Sequence, residues 1–131
     1  MKLLWDTHTY LWFSKASNEI SENVKEVLLD DKTENYLSII SIWEITIKSG
    51  LGKLTIDGTL NDIWNDIISS GITVIPLSIE HLKLYENLYF HHRDPFDRII
   101  ASIAISEKMN LVGKDSVFDL YFEKTNISRI W

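Results

Sequence analysis

The chain has no cysteine, which excludes disulfides, thiolate catalysis and Cys-ligated zinc, and is compatible with a reducing compartment. Its two prolines and five glycines build no Pro-rich linker and no phosphate-binding loop. Neither Gly-x-x-x-x-Gly-Lys-Ser/Thr nor Gly-x-Gly-x-x-Gly occurs, so the usual nucleotide-binding α/β folds are not expected. A serine nucleophile elbow is also missing. No apolar run approaches the ~20 residues of a membrane span, and Met1-Lys2-Leu3-Leu4-Trp5-Asp6 reaches an acid too early for a secretory signal. The expected location is therefore the cytoplasm, with no membrane partner. Positive charge is scarce as well: 13 Lys and Arg stand against 19 Asp and Glu, a net charge of −6. That balance excludes a broad basic surface that grips nucleic acid by neutralising phosphates. It leaves open a local acidic pocket that attracts phosphate through a bound cation.

What is present is enough for one core. The 131 residues, 45% of them hydrophobic, have the length of a single domain spanning 1–131. Short apolar runs at Leu3–Trp5, Tyr36–Ile40, Thr73–Leu77, Leu111–Val112 and Ile127–Ile130 read as strands. Helical periodicity lies between them. Leu60, Ile63, Trp64, Ile67 and Ile68 form one stripe behind a Thr59/Asp62 capping box. Phe96, Ile99, Ile100, Ile103 and Ala104 form another, with Asp94 as N-cap and Pro95 at the first helical position. Less regular helices are expected over 7–14, 21–30, 41–50 and 79–89, and a loop or short extended excursion over Gly50–Gly58. No internal repeat is found. Strand-helix alternation with long connections favours parallel pairing, and so an α/β fold: a three-layer α/β/α sandwich around a mostly parallel sheet of about five short strands.

Four acids interrupt or end these apolar stretches. Asp6 closes Lys2-Leu3-Leu4-Trp5, Glu44 lies within Ile39–Ile45, Asp97 opens a helix with Arg98-Ile99-Ile100, and Asp115 follows Leu111-Val112-Gly113-Lys114. Each has a local explanation. Asp6 and Asp115 could cap the helices that follow them, Asp97 suits a helix dipole three residues after Asp94, and Glu44 could face solvent. A parallel sheet, however, brings all four to one edge. Two ionised carboxylates about 5 Å apart repel by roughly 3 kcal/mol at an effective dielectric of about 20, so a cluster needs a cation, a shared proton or separation. Oxygen ligands without Cys, and with no His at a regular chelating spacing, suit Mg²⁺ or Mn²⁺ rather than zinc. His91 and His92 are adjacent and expected to diverge; they and His8 read as surface or supporting residues. Lys48, Lys53, Arg93, Arg98 and Lys114 lie near the acids in sequence.

The blocks Leu3-Leu4-Trp5-Asp6-Thr7-His8, Ser41-Ile42-Trp43-Glu44-Ile45, Lys48-Ser49-Gly50-Leu51-Gly52-Lys53-Leu54, His92-Arg93-Asp94-Pro95-Phe96-Asp97-Arg98 and Leu111-Val112-Gly113-Lys114-Asp115, in this order, resemble a PIN-domain ribonuclease. The likeness covers essentially the whole chain and is specifically to VapC-like toxins of type II toxin-antitoxin pairs. It implies a metal-dependent endoribonuclease that cuts RNA, often a structured one such as tRNA, restrained by a cognate antitoxin and assembled as a homodimer. On this resemblance Asp6, Glu44, Asp97 and Asp115 match the acidic quartet that holds Mg²⁺ or Mn²⁺, and Asp94 a further acid beside it. Arg98 and Lys48 are expected to meet substrate phosphate. One position departs: many relatives carry Thr or Ser where this chain has Gly113, and Thr7 or Ser116 could supply the missing hydroxyl. Two other readings remain, a catalytically silent PIN-like interaction module and a receiver-like or phosphatase α/β domain. The second lacks the paired early acids it would need.

Overall fold

A computed structural model describes all 131 residues. In chain order the elements are β1 (Lys2–Trp5), α1 (Thr7–Ser14), α2 (Glu22–Leu29), β2 (Glu34–Ser38), α3 (Ile39–Gly50), α4 (Leu60–Ser69), β3 (Thr73–Ile75), α5 (Ile79–Glu86), α6 (Pro95–Glu107), β4 (Asn110–Val112), α7 (Phe118–Phe122) and β5 (Arg129–Ile130). The five strands form one sheet in the order β3-β2-β1-β4-β5, and every neighbouring pair is parallel. The expected α/β sandwich is the fold observed.

β1 is central because it can be buried on both faces. Leu3 and Trp5 point into one core, together with Tyr10 and Leu11 of α1, Val24 and Leu28 of α2, and Ile63 and Ile67 of α4. Leu4, one residue out of phase, enters the other with Ile99, Ile100 and Ile103 of α6 and Phe118 and Phe122 of α7. A period of two thus feeds two helical layers. α3 serves both, giving Ile42 and Ile45 to the first core and Ile40 to the second. From β1 the chain winds outward through β2 and β3, then returns to lay β4 on the opposite side. The carboxyl ends of β1 and β4 therefore flank the point where the winding reverses, the place where open parallel sheets form a crevice.

Several boundaries differ from expectation for local reasons. The strand expected over Tyr36–Ile40 stops at Ser38, whose Oγ accepts from the Ile40 N–H at 3.0 Å and starts α3 two residues early. The strand expected to reach Leu77 ends at Ile75, before Pro76, which has no N–H to give a ladder. The last strand is trimmed to Arg129–Ile130, and α5 ends at Glu86 rather than residue 89. The α4 stripe is narrower than its spacing suggested: Ile63 and Ile67 are buried, whereas Leu60, Trp64 and Ile68 remain exposed. The capping box at its start is present as read.

Candidate metal centre

Each acid is brought to the crevice by a different element. Asp6 follows β1, and its own N–H still donates to Val112 O of β4 at 2.9 Å. Its Oδ1 caps α1 by accepting from the Thr9 N–H at 2.8 Å and the Thr9 hydroxyl at 3.1 Å. Capping thus occupies one oxygen and turns the other away from the helix. A Cβ at residue 113 would lie 2.8 Å from Asp6 Oδ2, so the glycine is what lets the Asp6 carboxylate lie against the end of β4. The departure at Gly113 is therefore matched to the position of Asp6.

Glu44, 2% exposed, projects from the second turn of α3. The Thr7 hydroxyl donates to its Oε1 at 2.5 Å and itself lies 2.9 Å from Ser41 Oγ. Its Oε2 pairs with Lys48 one turn further on. Thr7 is thus a hydroxyl that supports an acid. On α6, Asp94 caps through Oδ1 to the Phe96 N–H at 2.8 Å, while its other oxygen lies 3.8 Å from Lys48 Nζ. Asp97 follows in the first turn. Asp115, beyond β4, accepts from the Val117 N–H at 2.9 Å and lies 2.8 Å from His92 Nε2.

Asp6, Glu44, Asp94, Asp97 and Asp115 line one cleft of about 350 Å³, with His8, Trp12, Lys48, Lys114 and Phe118. Burial and the neighbouring charges act on them together. Burial first, then Asp94, Glu44 and Asp6, push the Asp97 carboxyl up to about 7 against the opposing pull of His92. Burial also raises Asp6, despite the Thr9 hydrogen bonds. Asp115 moves the other way: burial is outweighed by His92, the Val117 N–H and Arg129, and its carboxyl is lowered. For Lys48 too, burial is outweighed, by Glu44, Asp94 and Asp97, which raise its ammonium. Lys48 partly neutralises Glu44 and Asp94, while Lys114 turns to Glu19 at 2.6 Å. A proton-hungry Asp97 among further carboxylates is the donor set of a hard divalent cation, so the residues fit Mg²⁺ or Mn²⁺.

One residue is placed differently from expectation. Arg98, expected beside substrate phosphate, is buried behind α6. Its guanidinium packs 3.5 Å from the Phe90 ring centroid and 4.4 Å from that of Tyr85, and Nη1 donates to the Tyr85 hydroxyl at 3.1 Å. It does not line the cleft. Successive residues of a helix are about 100° apart around its axis, so Asp97 facing the crevice sends Arg98 towards α5. His92, read as a surface or supporting residue, lies against the acidic cluster: its Nε2 is 2.8 Å from Asp115 Oδ2, and one ligand atom each from His92, Asp97 and Asp115 lie within 4.8 Å of one another. The signal was its position two residues before the N-cap of a helix whose first turn carries Asp97; the adjacent His91 masked it. His91 packs edge-on against the same Tyr121 ring on which His92 stacks.

An open parallel sheet with acids gathered at its carboxyl edge defines a class of α/β protein in which charge is concentrated at a switch point. The PIN domain family model matches residues 3–122, and the chain belongs to the PIN-domain family. Among solved structures it is similar to VapBC2 from Rickettsia felis bound to a promoter DNA fragment, with 22% identity, coverage of 100% of this chain and 99% of that one, and a TM-score of 0.69. The DNA-bound VapBC from Salmonella typhimurium gives 19% identity, 99% and 97% coverage and a TM-score of 0.65. FitAcB from Neisseria gonorrhoeae gives 15%, 98% and 96%, and 0.63. No curated protein sequence matches the chain. The fold is thus of the VapC type, and no helix is long and apolar enough to cross a membrane.

Proposed function

We propose that the chain is a metal-dependent endoribonuclease, the toxin of a toxin-antitoxin pair. The observation that carries this reading is the convergence of Asp6, Glu44, Asp97 and Asp115, from four separate segments, on one cleft. Membership in a family whose members are generally nucleases supports it. A bound Mg²⁺ or Mn²⁺ supplies charge neutralisation at a phosphodiester and acidifies a water for in-line attack. The protein's part is position. Thr9 fixes Asp6, Thr7 fixes Glu44, and the first turn of α6 presents Asp97 with Asp94 beside it. Lys48, between Glu44 and Asp94, is the cation on the cleft wall that a phosphate would meet.

The substrate on this reading is RNA, of the structured kind exemplified by tRNA, and the protein acts in the cytoplasm under control of a cognate antitoxin. The solved relatives named above as VapBC support an antitoxin partner. A homodimer is supported by an exposed apolar face. There a cavity of about 220 Å³ is lined by Trp43, Leu77, Leu82 and Phe96 among others, and Trp43, Ile79 and Leu82 are exposed. The test is incubation of antitoxin-free protein with total RNA in Mg²⁺, Mn²⁺ or EDTA, alongside Asp6→Asn and Asp97→Asn. Cleavage is expected with the ions and not in EDTA or with either variant; activity retained in both variants sinks the assignment. Mn²⁺ binding without cleavage by the parent protein would favour the silent interaction module.

A further inference from the structure

We infer that His92 is a nitrogen ligand of this centre, coordinating through Nε2 beside Asp97 and Asp115, so that the site is mixed nitrogen and oxygen rather than all carboxylate. The inference rests on the metal-centre reading above and adds a residue that the acidic pattern does not contain.

The ring is held as ligating imidazoles are held. Its side chain is 9% exposed. One face stacks on Tyr121, with centroids 5.5 Å apart and planes 12° from parallel, and Phe118 packs at 4.9 Å. Nδ1 lies 3.1 Å from the Tyr121 hydroxyl, which also accepts from the His92 backbone N–H at 3.0 Å. With Nδ1 engaged behind, Nε2 is directed at Asp115 Oδ2, 2.8 Å away, in the trio whose ligand atoms lie within 4.8 Å of one another.

The Tyr121 hydroxyl makes both tautomers available. Donating to a bare Nδ1, it leaves the proton on Nε2, which donates to Asp115. Accepting from Nδ1–H, it leaves the Nε2 lone pair facing the trio, the arrangement a cation requires. A ligating histidine nearly always has its second nitrogen held in this way. The competing structural role is that His92 merely orients Asp115 by a hydrogen bond. The two roles differ in whether nitrogen touches the ion.

Mn²⁺ added to the antitoxin-free protein serves as the probe, read by pulsed EPR for ¹⁴N coupling. Coupling is expected in the parent protein and lost in His92→Gln, with thermal melts confirming that the variant is folded. Co²⁺ affinity is expected to fall about tenfold or more in His92→Gln, and about tenfold in Tyr121→Phe, which keeps the stack and removes the hydroxyl. Mg²⁺, which favours oxygen donors, should lose less. Bound Mn²⁺ without ¹⁴N coupling overturns the inference and leaves the metal-centre reading intact. Coupling that persists in His92→Gln overturns it as well and points to His8, which lines the same cleft. Absence of Mn²⁺ binding overturns both readings.

Discussion

The two walls of the cleft are built on opposite principles. On one, Asp6 and Glu44 are almost fully buried and clamped by hydroxyls, Asp6 by Thr9 and Glu44 by Thr7. On the other, Asp97 stands partly exposed beside Asp94 and is held near protonation, while Asp115 is exposed and tied to His92. The first wall is preorganised: its carboxylates have their partners whether or not an ion is present. The second is unsettled at Asp97, which accepts no hydrogen bond and whose carboxyl is raised, although Asp94 caps α6 and faces Lys48. Rigidity on one side and unmet charge on the other is an economical way to make binding strong, since little ordering is required and repulsion is relieved on binding.

Neutralising one acid on each wall gives the largest expected effect. Asp6→Asn and Asp97→Asn should each lower cleavage by about 10³-fold, as losses of a principal electrostatic group do. In EDTA at pH 8, Asp97→Asn should also raise the melting temperature, because it removes the repulsion with Asp94, and Asp6→Asn, which keeps the α1 cap and removes a charge that burial disfavours, should raise it too. A lowered melting temperature for Asp97→Asn would contradict this account of the second wall.

Gly113→Thr presses a Cβ against Asp6 Oδ2 and should displace the best-held acid. Mn²⁺ affinity and activity are expected to drop about tenfold to a hundredfold, the range seen when supporting residues of metal sites change. An unchanged affinity by calorimetry would show that the rigid wall yields easily. Thr7→Val removes the donor to the buried Glu44 and leaves an acceptor unmatched. It should cost about 1–3 kcal/mol in denaturant unfolding, with a smaller loss of metal affinity than Gly113→Thr.

The smallest effect is on pH. Asp97 in the native protein titrates at about 7, above the ordinary carboxylate value in an unfolded chain. The native state therefore binds the proton more tightly, and this contribution to stability is complete below about pH 4 and is lost as pH rises through about 7. Asp6, also raised, acts in the same direction. Asp115, lowered, contributes stability that is kept above the ordinary carboxylate range and lost below it. Between pH 5 and 8 in EDTA the melting temperature should decline by a few degrees, and Mg²⁺ should flatten the decline. A rise over that interval would refute the assignment of strain to Asp97.

Much of this molecule was legible beforehand because its signals are local. The α6 start is written in Asp94-Pro95, the α4 start in Thr59 and Asp62, and the sheet in short apolar runs whose two phases each found a core. The four acids were visible for a related reason: Asp6 and Asp115 follow buried strands, and Glu44 and Asp97 stand among apolar helical residues, where a carboxylate is conspicuous. Errors fell where a residue's direction depends on what packs against it. The stripe of α4 predicted five inward side chains, but the neighbouring layer covers Ile63 and Ile67 and leaves Trp64 to solvent. Arg98 adjoins an acid in sequence and is turned from it by the helix. His92 is separated from Asp115 by 23 positions and meets it through space.

Sequence alone determined which residues could be buried, where helices begin and which carboxylates lie at strand ends, because propensity, capping and periodicity act over a few bonds. Tertiary structure decided which groups share a cleft, that Lys48 faces Glu44 and Asp94, that Gly113 makes room for Asp6, and that a histidine joins the acids. Those outcomes depend on crossover connections and on the angle at which each side chain leaves its element, and both are set only when the layers pack.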